Sequence, residues 1–269
     1  MNVTQNPSVS TLDILKLYAY VIKLSLRKKK YRNYSLIDHE YNSGQWNKAF
    51  EEIDFETLGG NYDRKDMDEY NIFTIDGQLK KIIRRDHDVK SNSEFLSFFK
   101  NYSHDSIVEL GCGLGANLFL LYNNGFRNLS GYDLSVNAIN NLKKYTKMKE
   151  IDINFDVCDL NNEFPQKMIE GKIVFTKACL EQCKHIMSNA LQNIVNGKPK
   201  LVINFEVDYE SSPFLVKKYF DARDYQNNLV SELKKLEKEN KVKILLIQKL
   251  VYAGSSVNRR SAITWKPKY

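Results

Sequence analysis

Three carboxylates and three glycines stand in this sequence at places from which they could act on one ligand. Glu109 lies two positions before Gly111-Cys112-Gly113-Leu114-Gly115, Asp133 closes the candidate strand 128–132, and Asp159 lies at the end of the candidate strand 153–157. Each acid closes or follows a short run with strand character. Glycines spaced by two let a backbone take positive φ and approach a ligand with no Cβ in the way. Gly111-x-Gly113-x-x-Ala116 also satisfies the dinucleotide fingerprint with its permitted alanine, so the glycines alone do not choose the nucleotide. The acids discriminate. A carboxylate at Glu109 would repel a pyrophosphate but suit an ammonium or sulfonium. Asp133, 18 residues after Gly115, can accept from both ribose hydroxyls, and Asp159 offers an acceptor for an exocyclic adenine amine. Adenosine joined to a cationic amino acid fits this set.

Placing these groups requires an open sheet. The spacing predicts strands near 107–110, 129–132, 153–157, 173–175 and 201–205, and helices near 116–124, 136–147, 179–195 and 222–239. Strand–helix alternation implies parallel strands with helices on both faces. Two further strand-like runs, 244–252 and 261–266, are joined by a gap of eight residues, too short for a crossover helix, so they should be antiparallel. The expected fold class is α/β: a Rossmann-like, doubly wound, seven-stranded sheet with an antiparallel last strand, plus an N-terminal helical extension. The expected division is a basic arm at 1–35, a helical or loop cap at 36–104 and a cofactor-binding core at 105–269.

At these motifs the chain resembles the class I S-adenosylmethionine-dependent methyltransferases. The matching residues are Val108-Glu109-Leu110-Gly111-Cys112-Gly113-Leu114-Gly115, then Gly131-Tyr132-Asp133-Leu134-Ser135, Asp156-Val157-Cys158-Asp159-Leu160 and Ile173-Val174-Phe175-Thr176-Lys177. They follow one another in the family's order over 106–266. The resemblance implies an enzyme with S-adenosyl-L-methionine as cofactor, held by Glu109, Gly111, Gly113, Gly115, Asp133, Leu134, Asp159, Leu160 and Thr176. It also implies ligand-facing backbone around Thr176 and Lys177. Some members carry a metal-binding Glu-x-x-Glu-His after the fourth strand. Ala178-Cys179-Leu180-Glu181-Gln182 keeps one glutamate there, so no metal is expected. Thr176–Glu181 and the run from Asn258 to Trp265 resemble bacterial methyltransferases of surface-glycan or sugar-nucleotide pathways. That likeness implies a small polar acceptor such as a sugar hydroxyl or amine, with Arg259 and Arg260 able to meet a phosphate or carboxylate.

Ligands in such sheets bind beyond the carboxyl ends of the strands. Glu206, at a strand end, is therefore a candidate for catalysis. Glu181 and His185, one turn apart on a presumed helix, could pair as a carboxylate-oriented imidazole. Tyr209 is a further candidate base.

The net charge of +7 is concentrated at one end: residues 1–35 hold seven basic groups and one acid, so six of the seven charges sit there. The remainder is nearly neutral, which argues against a broad nucleic-acid surface. A macromolecular acceptor, RNA or protein, docked through the basic arm is the alternative reading, and a non-catalytic cofactor-binding module a third. Leu15, Tyr18, Ala19, Ile22 and Leu26 recur at helical spacing, with Leu17, Val21 and Leu24 widening the stripe, ahead of Arg27-Lys28-Lys29-Lys30. The run is too short and too charged to span a bilayer. Such a helix is expected to be buried on the domain or on a second subunit, or to lie on an anionic membrane. The aromatic segment 39–46 is expected to overlie the pocket or to serve as core. Four cysteines without zinc-like pairing fit a reducing cytoplasm.

Overall fold

A computed structural model gives the fold; it describes residues 6–26 and 67–269, except 184, 227, 253 and 258. The basic run 27–30 and the aromatic segment 39–46 lie outside the described residues.

A seven-stranded sheet carries the core. Its strands are β3 (Ile107–Leu110), β4 (Leu129–Asp133), β5 (Ile153–Val157), β6 (Ile173–Lys177), β7 (Leu201–Val207), β8 (Val242–Lys249) and β9 (Arg260–Pro267), in the order β5-β4-β3-β6-β7-β9-β8. Strands β3 to β7 are parallel, and β9 runs antiparallel to both β7 and β8, as the short connection requires. The order reverses between β3 and β6, which makes the carboxyl ends of those strands the crevice of the sheet.

Helices cover both faces. On one lie α2 (Arg84–Ser97), α3 (Ala116–Asn123) and α4 (Val136–Met148); on the other lie α5 (Met187–Asn196) and α7 (Leu229–Lys238). The strands supply alternate residues to the two layers: Phe175 meets Phe95 and Phe99, while Val174 belongs with Leu191 and Leu233. Buried aromatic rings in edge-on contact, Phe95 against Phe175 at 5.6 Å among them, fill the first layer.

Three expectations are corrected. The stretch 36–104, expected to be helical or loop, holds two strands: β1 (Tyr70–Ile75) and β2 (Gln78–Ile83) make a hairpin around Asp76 and Gly77, at φ 48° and 75°. Positive φ at both turn residues matches the right-handed twist of the flanking strands. The helix expected at 222–239 is the shorter α7, preceded by a separate helix that was not expected, α6 (Phe214–Ala222). Between them the buried Gln226 accepts from the backbone N–H groups of Asn228 and Leu229, both at 2.9 Å, and starts α7 afresh. The helix expected from Cys179 begins as a single 3₁₀ turn, Leu180–Gln182, and resumes only at Met187.

The N-terminal helix α1 (Thr11–Ser25) carries the apolar stripe, and Ser10 and Asp13 form a reciprocal capping box at its start. Its stripe is not buried as a whole. Val21, with Leu17 and Leu24, packs among Val216, Tyr219, Phe220 and Tyr225, whereas Leu12, Leu15, Tyr18, Ile22 and Leu26 are exposed. A helix resting on one partner buries one side; the sequence stripe was wider than that side.

Candidate active site

A cavity of about 370 Å³ opens at the carboxyl ends of β3 to β6, within the range of small-ligand sites. Glu109, Asp133 and Asp159 all line it, as do Gly111, Gly113, Leu134 and Leu160. The acids expected to act together are thus brought to one place.

Asp133 is held by the glycine loop: its Oδ2 accepts from Gly113 N at 2.8 Å and its Oδ1 from Ser135 N at 2.9 Å. Burial raises its pKa, and the two N–H donors pull the other way. Asp159 organises its own turn, accepting from Asn161 N and Asn162 Nδ2, each at 2.8 Å. Glu109 is wholly buried. Its Oε1 accepts from Asn117 Nδ2 at 2.7 Å, and its Oε2 has no hydrogen-bond partner. Desolvation pushes its carboxyl up to about 8 despite Asn117 and Lys177. A buried orphan carboxylate oxygen on a cavity wall suits a cationic ligand group.

Two side chains on the cavity wall were not assigned a role by sequence reasoning. Lys177 lines the cavity, donates from Nζ to Asn117 Oδ1 at 2.9 Å and lies 4.4 Å from the centre of the Phe95 ring. Burial, helped by Arg260, lowers its pKa to about 8. Asn117 bridges Lys177 and Glu109. Its signal was a polar side chain in the first turn after the glycine loop, eight residues beyond Glu109.

The glycines divide by role. Gly115, at φ 74°, caps α3 away from the cavity, and a Cβ there would press on Leu142, Phe119 and Phe155 at 3.1–3.2 Å. At Gly111, also φ 74°, a Cβ would fall 2.1 Å from Cys179 Sγ and 2.5 Å from Cys179 Cβ. The vacant position thus admits a neighbouring side chain instead of a ligand. Gly111→Ala should therefore destabilise the protein by about 3 kcal/mol, from left-handed strain plus overpacking. Cys179→Gly in the same chain should recover the packing part only. Thermal melts of both variants check this, and an unchanged melting temperature for Gly111→Ala would show that the contact is not tight.

Thr176 and Glu206 sit behind the wall, not on it. A buried relay crosses the sheet: Trp265 Nε1 donates to Asn204 Oδ1 at 2.7 Å, Asn204 Nδ2 to Thr176 Oγ1 at 2.9 Å, and Thr176 Oγ1 to Glu206 Oε1 at 2.7 Å. Glu206 ends it by accepting the backbone N–H groups of Cys179, Leu180 and Glu181 at 3.2, 3.1 and 3.0 Å. This carboxylate anchors the 3₁₀ turn that forms one wall. Both oxygens of Glu206, expected to act in catalysis, are engaged by the fold, and the Thr176 side chain, expected near the cofactor, belongs to the same relay.

Glu181 and His185 both line the cavity but do not pair. The chain between them is not one helix: Glu181 takes Arg260 Nη2 at 3.4 Å, while His185 Nε2 lies 3.6 Å from Asp224 Oδ2. Tyr209 donates to Asp221 Oδ1 at 3.1 Å and is not on the cavity wall. Arg259 donates to Gly77 O at 3.1 Å, tying β9 to the hairpin turn.

No protein-family model matches the sequence, and no curated protein matches it. Solved structures do match in shape. Magnesium protoporphyrin IX methyltransferase from Synechocystis PCC 6803, with bound SAM, aligns over 90% of this chain and 100% of its own at 12% identity and a TM-score of 0.57. The PH0226 protein from Pyrococcus horikoshii OT3 aligns over 69% and 92% at 16% identity and 0.51. A geranyl diphosphate methyltransferase in complex with GPP and sinefungin aligns over 70% and 79% at 13% and 0.50. The fold shared with these structures is Rossmann-like: a seven-stranded, mostly parallel sheet with its last strands antiparallel.

Proposed function

We propose that the chain is an S-adenosylmethionine-dependent methyltransferase acting on a small polar acceptor through a hydroxyl or amine. The observation that carries this reading is the cavity at the crevice of the sheet, lined together by Asp133, Asp159 and Glu109, whose buried Oε2 has no hydrogen-bond partner. The wall residues fit the cofactor. Glu109 would take its cationic amino-acid end, Asp133 its ribose hydroxyls, and Asp159 with Leu134 and Leu160 its adenine. When bound, the cofactor supplies a methyl group on a sulfonium.

The remaining work belongs to the protein: aligning the acceptor in line with that group and taking a proton from it. Lys177 is suited to the second task. It is buried on the wall, and a lysine with a pKa near 8 is partly neutral at working pH. Glu181 and His185 remain further candidates on the same wall. The sugar or glycan-precursor acceptor rests on the sequence resemblance at 176–181 and 258–265. The division into arm, cap and core is part of the same proposal, with the β1–β2 hairpin and α2 in the cap.

Glu109 makes the reading testable by pH. Its pKa in the fold, about 8, lies above its ordinary 4.5, so its contribution to stability is whole below about 4.5 and is lost as pH rises through about 8. A cationic ligand favours the ionised form. S-adenosylhomocysteine, through its ammonium, should therefore bind about tenfold more tightly near pH 8 than near pH 6, with proton release at the lower pH. Calorimetry in buffers of different ionisation enthalpy measures both. Glu109→Gln should flatten the profile, and a profile identical to wild type would remove Glu109 from the site.

A further inference from the structure

Helix α1 has two apolar sides. Leu17, Val21 and Leu24 seat it on the cluster that contains Phe220 and Tyr225. Opposite Val21 run Leu12, Leu15, Ala19, Ile22 and Leu26, whose alternating spacing of three and four sets them on one line along the helix. That line is open to solvent: Leu12, Leu15, Ile22 and Leu26 are 59%, 60%, 53% and 81% exposed. Lys16 and Lys23, both exposed, border one edge of it. Asp13, the acid of the helix, is held in the cap by Ser10 and lies 3.6 Å from Lys81 Nζ. The next residues in sequence are Arg27-Lys28-Lys29-Lys30.

We propose that this outward line of α1 docks on an anionic lipid surface. Leu12, Leu15, Ile22 and Leu26 enter the interface while Lys16 and Lys23 meet headgroup phosphates from its border. Charge separates this occupant from a second copy of the chain. Antiparallel pairing of two such helices would bring Lys16 near Lys23 of the other, and parallel pairing would set two basic runs side by side. A lipid surface carries the opposite charge. A second copy would also meet only five small or medium side chains, well below the ~800 Å² per partner of a stable interface. At 15 residues the helix is roughly 22 Å long, so it lies along a membrane, and no described helix is long and apolar enough to cross one. Tyr225, in the cluster that seats α1, interacts electrostatically with the cavity-lining Glu181. The docked helix is therefore linked to the cavity wall through that cluster. The proposal rests on α1 and stands whether or not the cavity takes the proposed cofactor.

Sedimentation of the full chain with phosphatidylglycerol-containing vesicles, and with vesicles of phosphatidylcholine alone, tests it. Wild type should bind the anionic vesicles at least about tenfold better, and less in high salt. Leu15→Ser with Ile22→Ser should lower that binding about tenfold or more with the melting temperature and molecular mass unchanged, because neither residue packs on the domain. Equal binding by the double variant, or none by wild type, would overturn the proposal. A mass that halves in the double variant would also overturn it, by showing a second copy on that face.

Discussion

Glu206→Ala is expected to cost the fold about 4 kcal/mol and to abolish ligand binding in the cavity. The carboxylate is fully buried and accepts from Thr176 Oγ1 and from three consecutive backbone N–H groups. Truncation leaves those donors without partners, at roughly 1–3 kcal/mol for each that finds no substitute. The 3₁₀ turn at 180–182 would lose its anchor, and the cavity wall with it. Glu206→Gln should be milder, about 1–2 kcal/mol, because one carbonyl oxygen still serves the turn while the amide opposes a single N–H. Chemical denaturation of both variants gives the comparison. If Glu206 instead exchanged protons with an acceptor, the alanine variant would unfold at the wild-type midpoint, and the assignment to positioning would fall.

Asp133→Ala is expected to weaken binding of S-adenosylhomocysteine by a factor of about 100 or more. Two hydrogen bonds to a charged acceptor, at ~1.5–3 kcal/mol each, would be lost with the ribose. The bonds from Gly113 N and Ser135 N would go too, so the loop should loosen, with a cost to stability of about 1–2 kcal/mol. Asp133→Asn separates the effects, since it keeps the shape but removes the charge and one acceptor. Binding of the alanine variant within threefold of wild type would show that the ligand does not depend on Asp133.

Strands β3, β6 and β7 were legible because a strand covered on both faces reads as a short apolar run, and the three acids lie at or just beyond the carboxyl ends of β3, β4 and β5. The final antiparallel pair followed from the length of its connection. The hairpin was missed although Asp76-Gly77 is a strong turn signal, because Leu79, Ile82 and Ile83 stand at the i, i+3, i+4 spacing of one helix face. At the end of β6 the sides on which neighbouring residues lie were not legible. Neighbouring strand residues point to opposite faces, so Thr176 joins Asn204 and Glu206 in the relay while Lys177 reaches the cavity. Sequence periodicity shows that the two differ, not which of them faces a ligand. The relay itself joins residues 28 to 61 positions apart and has no local signature.

Calorimetric titration of the wild-type chain with S-adenosylhomocysteine, with a nicotinamide dinucleotide titrated in parallel, tests the central claim most directly. The cavity carboxylates predict saturable binding of one S-adenosylhomocysteine per chain and none of the dinucleotide, whose pyrophosphate Glu109 would repel. Failure to bind S-adenosylhomocysteine, or tighter binding of the dinucleotide, would contradict the reading of this cavity as a methyl-donor site.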